Sequence, residues 1–544
     1  MNSILIRNCS CLDPLHGTQF ESKDLLIKDG FFRPKVDGNS ENTREIDANG
    51  RVVVPGGILP SFKLPAGLTF ESSLDLAASA RALVETGFTT VVIDGITPFT
   101  ALDAHQRIQR LPVVNKVPII DFANFQFFTG FLKNGVSNYA AEVAASILRK
   151  MKGHGISAIG PGSTLEWSKS TEPGTRTMSA PIPFLGMNIE KLVIELVGIH
   201  DHGFFKPGML LETGIEGFPA SRAQLDGLLA RITGAIKSGG NEPLVAIKQL
   251  ARYALDPDYK GGEIAENVPV AEAAMAAADN IAGLVDLPSM DFTRTTYIDN
   301  AASPLHDSKG ILSRGIIEGE LFVITYSISE KEKLDLAARF WLAGMKFALD
   351  MPAPLKERVA FSLMPQLINS NSSIAGNMGC LLSERYRLSK RMVFPDASSK
   401  SRAAELLKGK EMTFPELVNF TRAVPAKIFG LDKLLGGFGD GQIGDVIILN
   451  ARPGDLDRLR DEPDHLHDLL TNPFAVIKGG MVALENGHFN PVIRGYTMLH
   501  EVQGDSTIAD SIEQNLDKQF LKYYSTHLDG KIVPASLVEP AITD

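Results

Sequence analysis

Residues 47–67 read DANGRVVVPGGILPSFKLPAG, and the way this stretch breaks decides the fold. Asn49-Gly50 is turn chemistry, since both residue types tolerate a positive φ. Val52–Val54 is a run of β-branched residues that reads as a buried strand. Pro55-Gly56-Gly57 interrupts it, and a second apolar run follows. In that run Ser61 and Lys63 stand two apart, so on a strand both face the same side.

Before this stretch the chain is β-rich and free of helices. SILIRNCSCL reads as one strand and DLLIKDGFF as a second, with Lys28-Asp29-Gly30 as hairpin chemistry. The segment VDGNSENTREIDANG is polar and turn-rich. After it, over residues 56–425, apolar runs alternate with amphipathic helices. SSLDLAASARALVETG is a helix closed by Gly87 and followed by the buried strand FTTVVIDG. SNYAAEVAASILRKMKGHG leads to ISAIG, NIEKLVIELVGIHDHG to MLLETG, SRAQLDGLLARITGAIKSGG to PLVAIKQL, and VAEAAMAAADNIAG to LVDLPS. Repeated strand–helix units over this length predict an α/β fold with a (β/α)8 TIM-like barrel, whose site is built at the C-terminal ends of the strands. Thr413 and Glu416 form a capping box with Pro415 in the first turn of the last barrel helix. Strands return in DGQIGDVIILN and PFAVIKGGMVALENGHF. Residues 426–503 therefore join residues 1–55 in one small β domain beside the barrel. Residues 504–544 form an amphipathic helix and an extended tail, placed to clamp the barrel or a neighbouring protomer.

At 544 residues the chain exceeds what one core supports, so two or three domains are expected. A formal net charge of −10 argues against a nucleic-acid partner, whose binding surface would be basic. No apolar run is long enough for a membrane span. The N-terminus lacks the basic and apolar regions of a secretory signal, and three cysteines make no disulfide framework, so a reducing cytoplasm is expected. Cys9 and Cys11 read as ordinary strand residues, because two thiolates alone are a poor metal site.

The order of β segment, barrel and returning β hairpin resembles the amidohydrolase superfamily. Several stretches resemble one branch of it, the A subunits of formylmethanofuran dehydrogenase and of the formyltransferase/hydrolase complex. They are Thr421–Leu431 (TRAVPAKIFGL) with GQIGDVIILN, Gly155–Trp167 (GISAIGPGSTLEW), Arg494–Met498 (RGYTM), and FLKYYSTHLDGKIVP near the C-terminus. The resemblance runs end to end. It implies other subunits of such a complex as partners.

It also implies a binuclear zinc site, and here the positions part from the family. The first barrel strand of the superfamily ends in Asp-x-His-x-His. In this chain Leu59 stands at the Asp, Ser61 at the first His and Lys63 at the second. The bridging Lys falls on Ser157, and the next His-bearing strand end shows Leu210 and Glu212. A further His falls on Ile247, and the proton-transferring Asp on Leu363 or Met364. Two divalent cations in a partly dry cavity need anionic or imidazole ligands to offset their desolvation. Neutral serines and an isoleucine do not supply them, and an ammonium at position 63 repels a metal. The expectation is therefore no bound metal, no metal-activated water and no surviving family chemistry.

Other candidates carry less. His200-Asp201-His202 looks like a metal motif, but the resemblance puts a helix before it, which places it in a solvated loop at the wrong end of a barrel. Lys63 and Glu212 could neutralise each other across the vacated pocket as a structural ion pair, or leave an anion site there. Asp286, Asp291 and Asp299 read as solvated strand-end carboxylates, and His154 as the start of a strand. No glycine-rich segment has the phosphate-loop pattern, no serine stands in a nucleophile elbow, and a Ser61/Lys63 nucleophile pair is the least favoured reading. Together these predict a catalytically silent A-type component of a one-carbon complex, acting as scaffold or regulator. An active C–N hydrolase with a non-standard site and a stand-alone structural oligomer are the alternatives.

Overall fold

The break at Pro55–Gly57 is where the chain leaves one sheet and enters another. In the computed structural model, Val52–Pro55 pairs in parallel with Ser3–Asp13 and antiparallel with Val446–Ile448. One residue further on, Gly57–Lys63 pairs in parallel with Phe88–Ile96. The two glycines are required by close approach. A Cβ at Gly56 would run into the Thr89 side chain, and one at Gly57 would meet the Gly87 carbonyl at 2.7 Å. The structure describes the chain except residues 1–2, 35–42, 64–75, 124, 136, 160–180, 183–185, 203–204, 206–208, 213–221, 237–244, 255–263, 289–293, 299–322, 328–330, 364–371, 391–396, 503 and 544.

The small sheet draws on both ends of the chain, as expected. Its order is His488–Phe489, Met481–Glu485, Ala475–Lys478, Val446–Ile448, Val52–Pro55, Ser3–Asp13, Thr18–Lys28 and Phe31–Arg33. The hairpin at Asp29-Gly30 has both residues at positive φ, as two-residue hairpin loops demand. Thr43–Asp47, in the stretch expected to be turn-rich, is instead a strand lying parallel to Ser3–Arg7. Its polar residues hid the one that matters, Ile46, which buries in the core with Ile4, Ile6, Cys9, Cys11 and Ile448. All three cysteines are buried and free. Thr497–Leu499, expected in this sheet, pairs instead with Lys116 of the barrel.

Eight parallel strands form the barrel, each pairing with the next. They are Gly57–Lys63, Phe88–Ile96, Asn115–Asp121, Gly155–Ile159, Met209–Glu212, Val245–Ile247, Ile281–Leu287 and Val359–Leu363. They are called the first to eighth barrel strands below; the eighth lies beside the first. The connecting helices form where apolar periodicity predicts them: Leu76–Glu85, Asn138–Lys150 capped by Ser137, Ile189–Asp201 capped by Asn188, Arg222–Ala235 and Ile264–Ala276. The Thr413/Glu416 capping box is present.

Two devices hold the parts in register. At the N-terminal end of the barrel, Asp445 of the small β unit accepts hydrogen bonds at Oδ2 from Thr89 (3.0 Å), Asn115 (3.0 Å) and the Lys478 ammonium (2.5 Å). Its Oδ1 accepts from the Gly479 amide at 3.1 Å. At the other end, the helix Ser506–Tyr524 clamps the barrel. Phe520 and Tyr524 enter an aromatic cluster with Phe99, Phe125 and Phe127, which follow the second and third strands. Glu513 binds Ser146 and Lys150, each at 2.5 Å. No described helix is long and apolar enough to cross a membrane.

Candidate functional site

Three side chains meet inside the barrel. Ser61 comes from the first strand, Asp94 from the second, and Lys248 stands just past the end of the sixth. The Lys248 ammonium forms an ion pair with Asp94 Oδ2. It also donates to Ser61 Oγ at 3.1 Å, and the Ser61 hydroxyl donates to the same Asp94 oxygen at 3.1 Å. The sixth strand neighbours neither the first nor the second, so this contact crosses the barrel interior. The Lys248 and Asp94 side chains are 1% and 0% exposed, which makes this a fully buried pair. Two such charges cost several kcal/mol each to desolvate, and they are tolerated only when paired and hydrogen-bonded.

Register extends the inner face around the ring, because parallel partners point to the same side. Asp121 pairs with Ser157, Ser157 with Leu210, Leu210 with Ala246, and Asp286 with Ser362. Asp121 Oδ1 accepts the Ile159 amide at 2.8 Å. The hydroxyls of Ser157 and Ser362 and the second carboxylate oxygen of Asp94 are buried with no hydrogen-bond partner among the described residues. Among the described residues named on this face are one ammonium, the Asp94 carboxylate bound to it, the carboxylates of Asp121 and Asp286, and serine hydroxyls, with no imidazole, a poor donor set for two divalent cations. Among the described residues no group of three or more His, Cys, Asp or Glu side chains could hold a metal.

The residues singled out by sequence fall as follows. Ser61 lies in the cluster and Ser157 on the same inner face. Ile247 does not: it pairs with Leu211 and Gly283 on the alternate face, and Lys248 is the residue that reaches across. Leu363 is likewise turned away and its neighbour Ser362 takes the inner face, while Met364 lies outside the described residues. Lys63 and Glu212 keep strand backbone, but their side chains, and so the proposed Lys63–Glu212 ion pair, lie outside what is described. Asp286 is fully buried rather than solvated. Asp291 and Asp299 are outside the described residues. His200 belongs to the helix Ile189–Asp201 and is buried against Phe205 at 6.0 Å, not in a loop. His202 is exposed at the helix end, 3.0 Å from Asn138. His154 does precede its strand and binds the Phe429 carbonyl at 2.9 Å. A hollow of about 650 Å³ beside Asn188, Lys191 and Arg231 opens on the outer helices and is remote from this chemistry.

Sequence reasoning missed Asp94 and Lys248. Their signal was present: each is a lone charge at the end of an otherwise apolar strand, in FTTVVIDG and PLVAIKQL. A charge there has to find a partner inside the barrel, since the flanking residues commit the strand to burial.

No protein-family model matches the chain. Over 97% of its length it is 23% identical to protein FwdA of Methanocaldococcus jannaschii, 96% of which is covered. It is 23% identical to the A subunit of the formyltransferase/hydrolase complex Fhc of Methylorubrum extorquens, over 91% of both chains. An X-ray structure of that complex, FhcABCD with methylofuran, contains a chain of the same fold, with a TM-score of 0.77 at 18% identity and 99% of each chain covered. A D-hydantoinase superposes at a TM-score of 0.50 and 13% identity, covering 91% of this chain and 98% of its own. The chain is thus a relative of FwdA and of the Fhc A subunit, built on an amidohydrolase-type barrel with a separate β domain.

Proposed function

We propose that this chain is the A-type component of a formylmethanofuran dehydrogenase or formyltransferase/hydrolase type of complex in one-carbon metabolism. In this reading its barrel carries no metal and serves as a scaffold or regulatory subunit. The similarity along nearly the whole of FwdA and of the Fhc A subunit supports the component, and the Fhc complex supplies the kind of partner. The silent barrel is carried by one observation, the Lys248 ammonium buried on Asp94 where the superfamily does its chemistry.

The magnitudes favour that reading. A divalent ion ~4 Å from an ammonium, at an effective dielectric of ~20, is repelled by about 8 kcal/mol. Full zinc ligand sets supply ~10–16 kcal/mol, and here the Asp94 carboxylate is already committed to Lys248. A second reading, metal-independent hydrolysis with Ser61 as nucleophile, has the 3.1 Å contact to Lys248 in its favour. Against it, Asp94 holds that lysine as an ammonium, which has no lone pair with which to take the serine proton.

The test is to isolate the tagged chain from cells that also express its genomic neighbours. Co-purifying subunits are identified by mass spectrometry, metal is quantified, and formate release from a formylated carrier is followed. Foreign subunits with substoichiometric metal and no formate release from the isolated chain are expected. Stoichiometric zinc with hydrolysis overturns the silent barrel, and an oligomer of this chain alone overturns the complex. Formate release that Ser61→Ala abolishes without metal would establish the second reading.

A further inference from the structure

The pair in the barrel has the form of an ion in its seat. Its anionic side is Asp94 with the Ser61 hydroxyl, both on strands next to each other. Its cationic side arrives from the opposite wall on the end of a lysine. The seat has capacity left over. Asp94 is fully buried, and its Oδ1 has no hydrogen-bond partner among the described residues, while Oδ2 serves both Lys248 and Ser61. The positive charge of Lys248 offsets this buried carboxylate.

We propose that Lys248 is a resident cation, a tethered ammonium that takes the electrostatic place of a bound metal, and that the Asp94–Ser61 seat accepts a free cation once the lysine side chain is removed. The free cation would be a small primary ammonium or a divalent metal ion, since both are satisfied by carboxylate and hydroxyl oxygens. This rests on the metal-free reading of the barrel and adds its cause: the acidic interior is closed to metal by an internal competitor. The lysine is then the element that decides which cation the barrel holds.

The experiment uses the full chain with Lys248→Ala, in which truncation leaves room for an alkylammonium ion. Its thermal unfolding midpoint is recorded with added ethylammonium, Mg2+, Mn2+ or Zn2+, beside wild type and the double variant Asp94→Asn/Lys248→Ala. Ethylammonium and at least one divalent ion should raise the midpoint of the single variant by about 2 °C or more beyond any change in wild type. The double variant, lacking the anionic side, should not respond. A single variant that responds no more than wild type, or a double variant that responds equally, overturns the seat. If Lys248→Ala does not accumulate folded, refolding yield across the same cation series reads out the same comparison. Zinc on the wild-type protein would overturn the functional reading instead, and because that is measured on a different protein the two failures are told apart.

Discussion

Lys116 stands near the start of the third barrel strand, 1% exposed, its ammonium nitrogen 3.1 Å from the Gly495 carbonyl. Burial first, and then the like charges of Lys478 and Arg494, bring its pKa from 10.5 down to about 7. The folded value lies below the unfolded one, so between pH 7 and 10.5 the unfolded chain holds a proton that the folded chain lacks. Stability from this group therefore rises with pH across that window, and the penalty is complete below it. At ~1.36 kcal/mol per pH unit, the gap amounts to about 5 kcal/mol at the acid plateau, about 4 kcal/mol at pH 7 and about 1.4 kcal/mol at pH 9.5.

Lys116→Met removes that penalty at the cost of one hydrogen bond to Gly495, about 1 kcal/mol. The variant should thus be more stable than wild type by about 3 kcal/mol at pH 7 and nearly equal to it at pH 9.5. Urea midpoints of the two proteins at several pH values between these limits give the difference directly, with every other titrating group common to both. A difference that stays flat over the series refutes the reasoning, because Lys116 would then keep its proton inside the fold.

Three further outcomes are expected. Asp445→Asn leaves the buried Lys478 ammonium without its counter-charge, so stability should fall by about 3–5 kcal/mol in urea titration; a loss under 1 kcal/mol would mean that the hub is not an ion pair in solution. Phe520→Ala empties the centre of the aromatic cluster and should cost about 3–5 kcal/mol, with faster proteolysis of the helix Ser506–Tyr524 as the local readout. Glu272, 6% exposed, has its pKa raised from 4.5 to about 7 by burial and then by Asp350, against the opposing pull of Lys346 and Lys410. Its folded value is the higher one, so wild-type stability should fall as pH rises from 4.5 through 7, and Glu272→Gln should lose that slope. Parallel pH profiles for the two proteins would count against this.

The elements were legible wherever the period was clean. The alternation of apolar strand and amphipathic helix gave the barrel, and the Thr413/Glu416 pair gave its last helix start. The small sheet was legible because its strands lie at the two ends of the chain, outside the barrel texture. Thr43–Asp47 was not, since a single apolar residue among charges carries no period. The site was legible only by position. Motif positions pointed to Ser61 and Ser157, but register within a strand is a matter of one residue, and that error moved attention from Lys248 to Ile247 and turned it to the other face. Asp94 could be noticed as a lone charge at a strand end, but its partner could not, because it is 154 residues away in sequence. Nothing local to either residue announces the other.

That separation bears on how the barrel came to hold what it holds. Asp94 buried alone would carry an uncompensated charge, and so would Lys248; each is tolerable only with the other. Removing either charge alone therefore leaves the other to be offset, which is what a cation supplied to Lys248→Ala would do. Ser61→His, by contrast, places an imidazole beside an ammonium that still occupies the carboxylate. On the metal-free reading proposed above, the Asp94–Lys248 pair makes the interior charge-balanced in itself. A balanced pair of this kind keeps the barrel packed without a metal, so the proposed scaffold role needs nothing further from the interior.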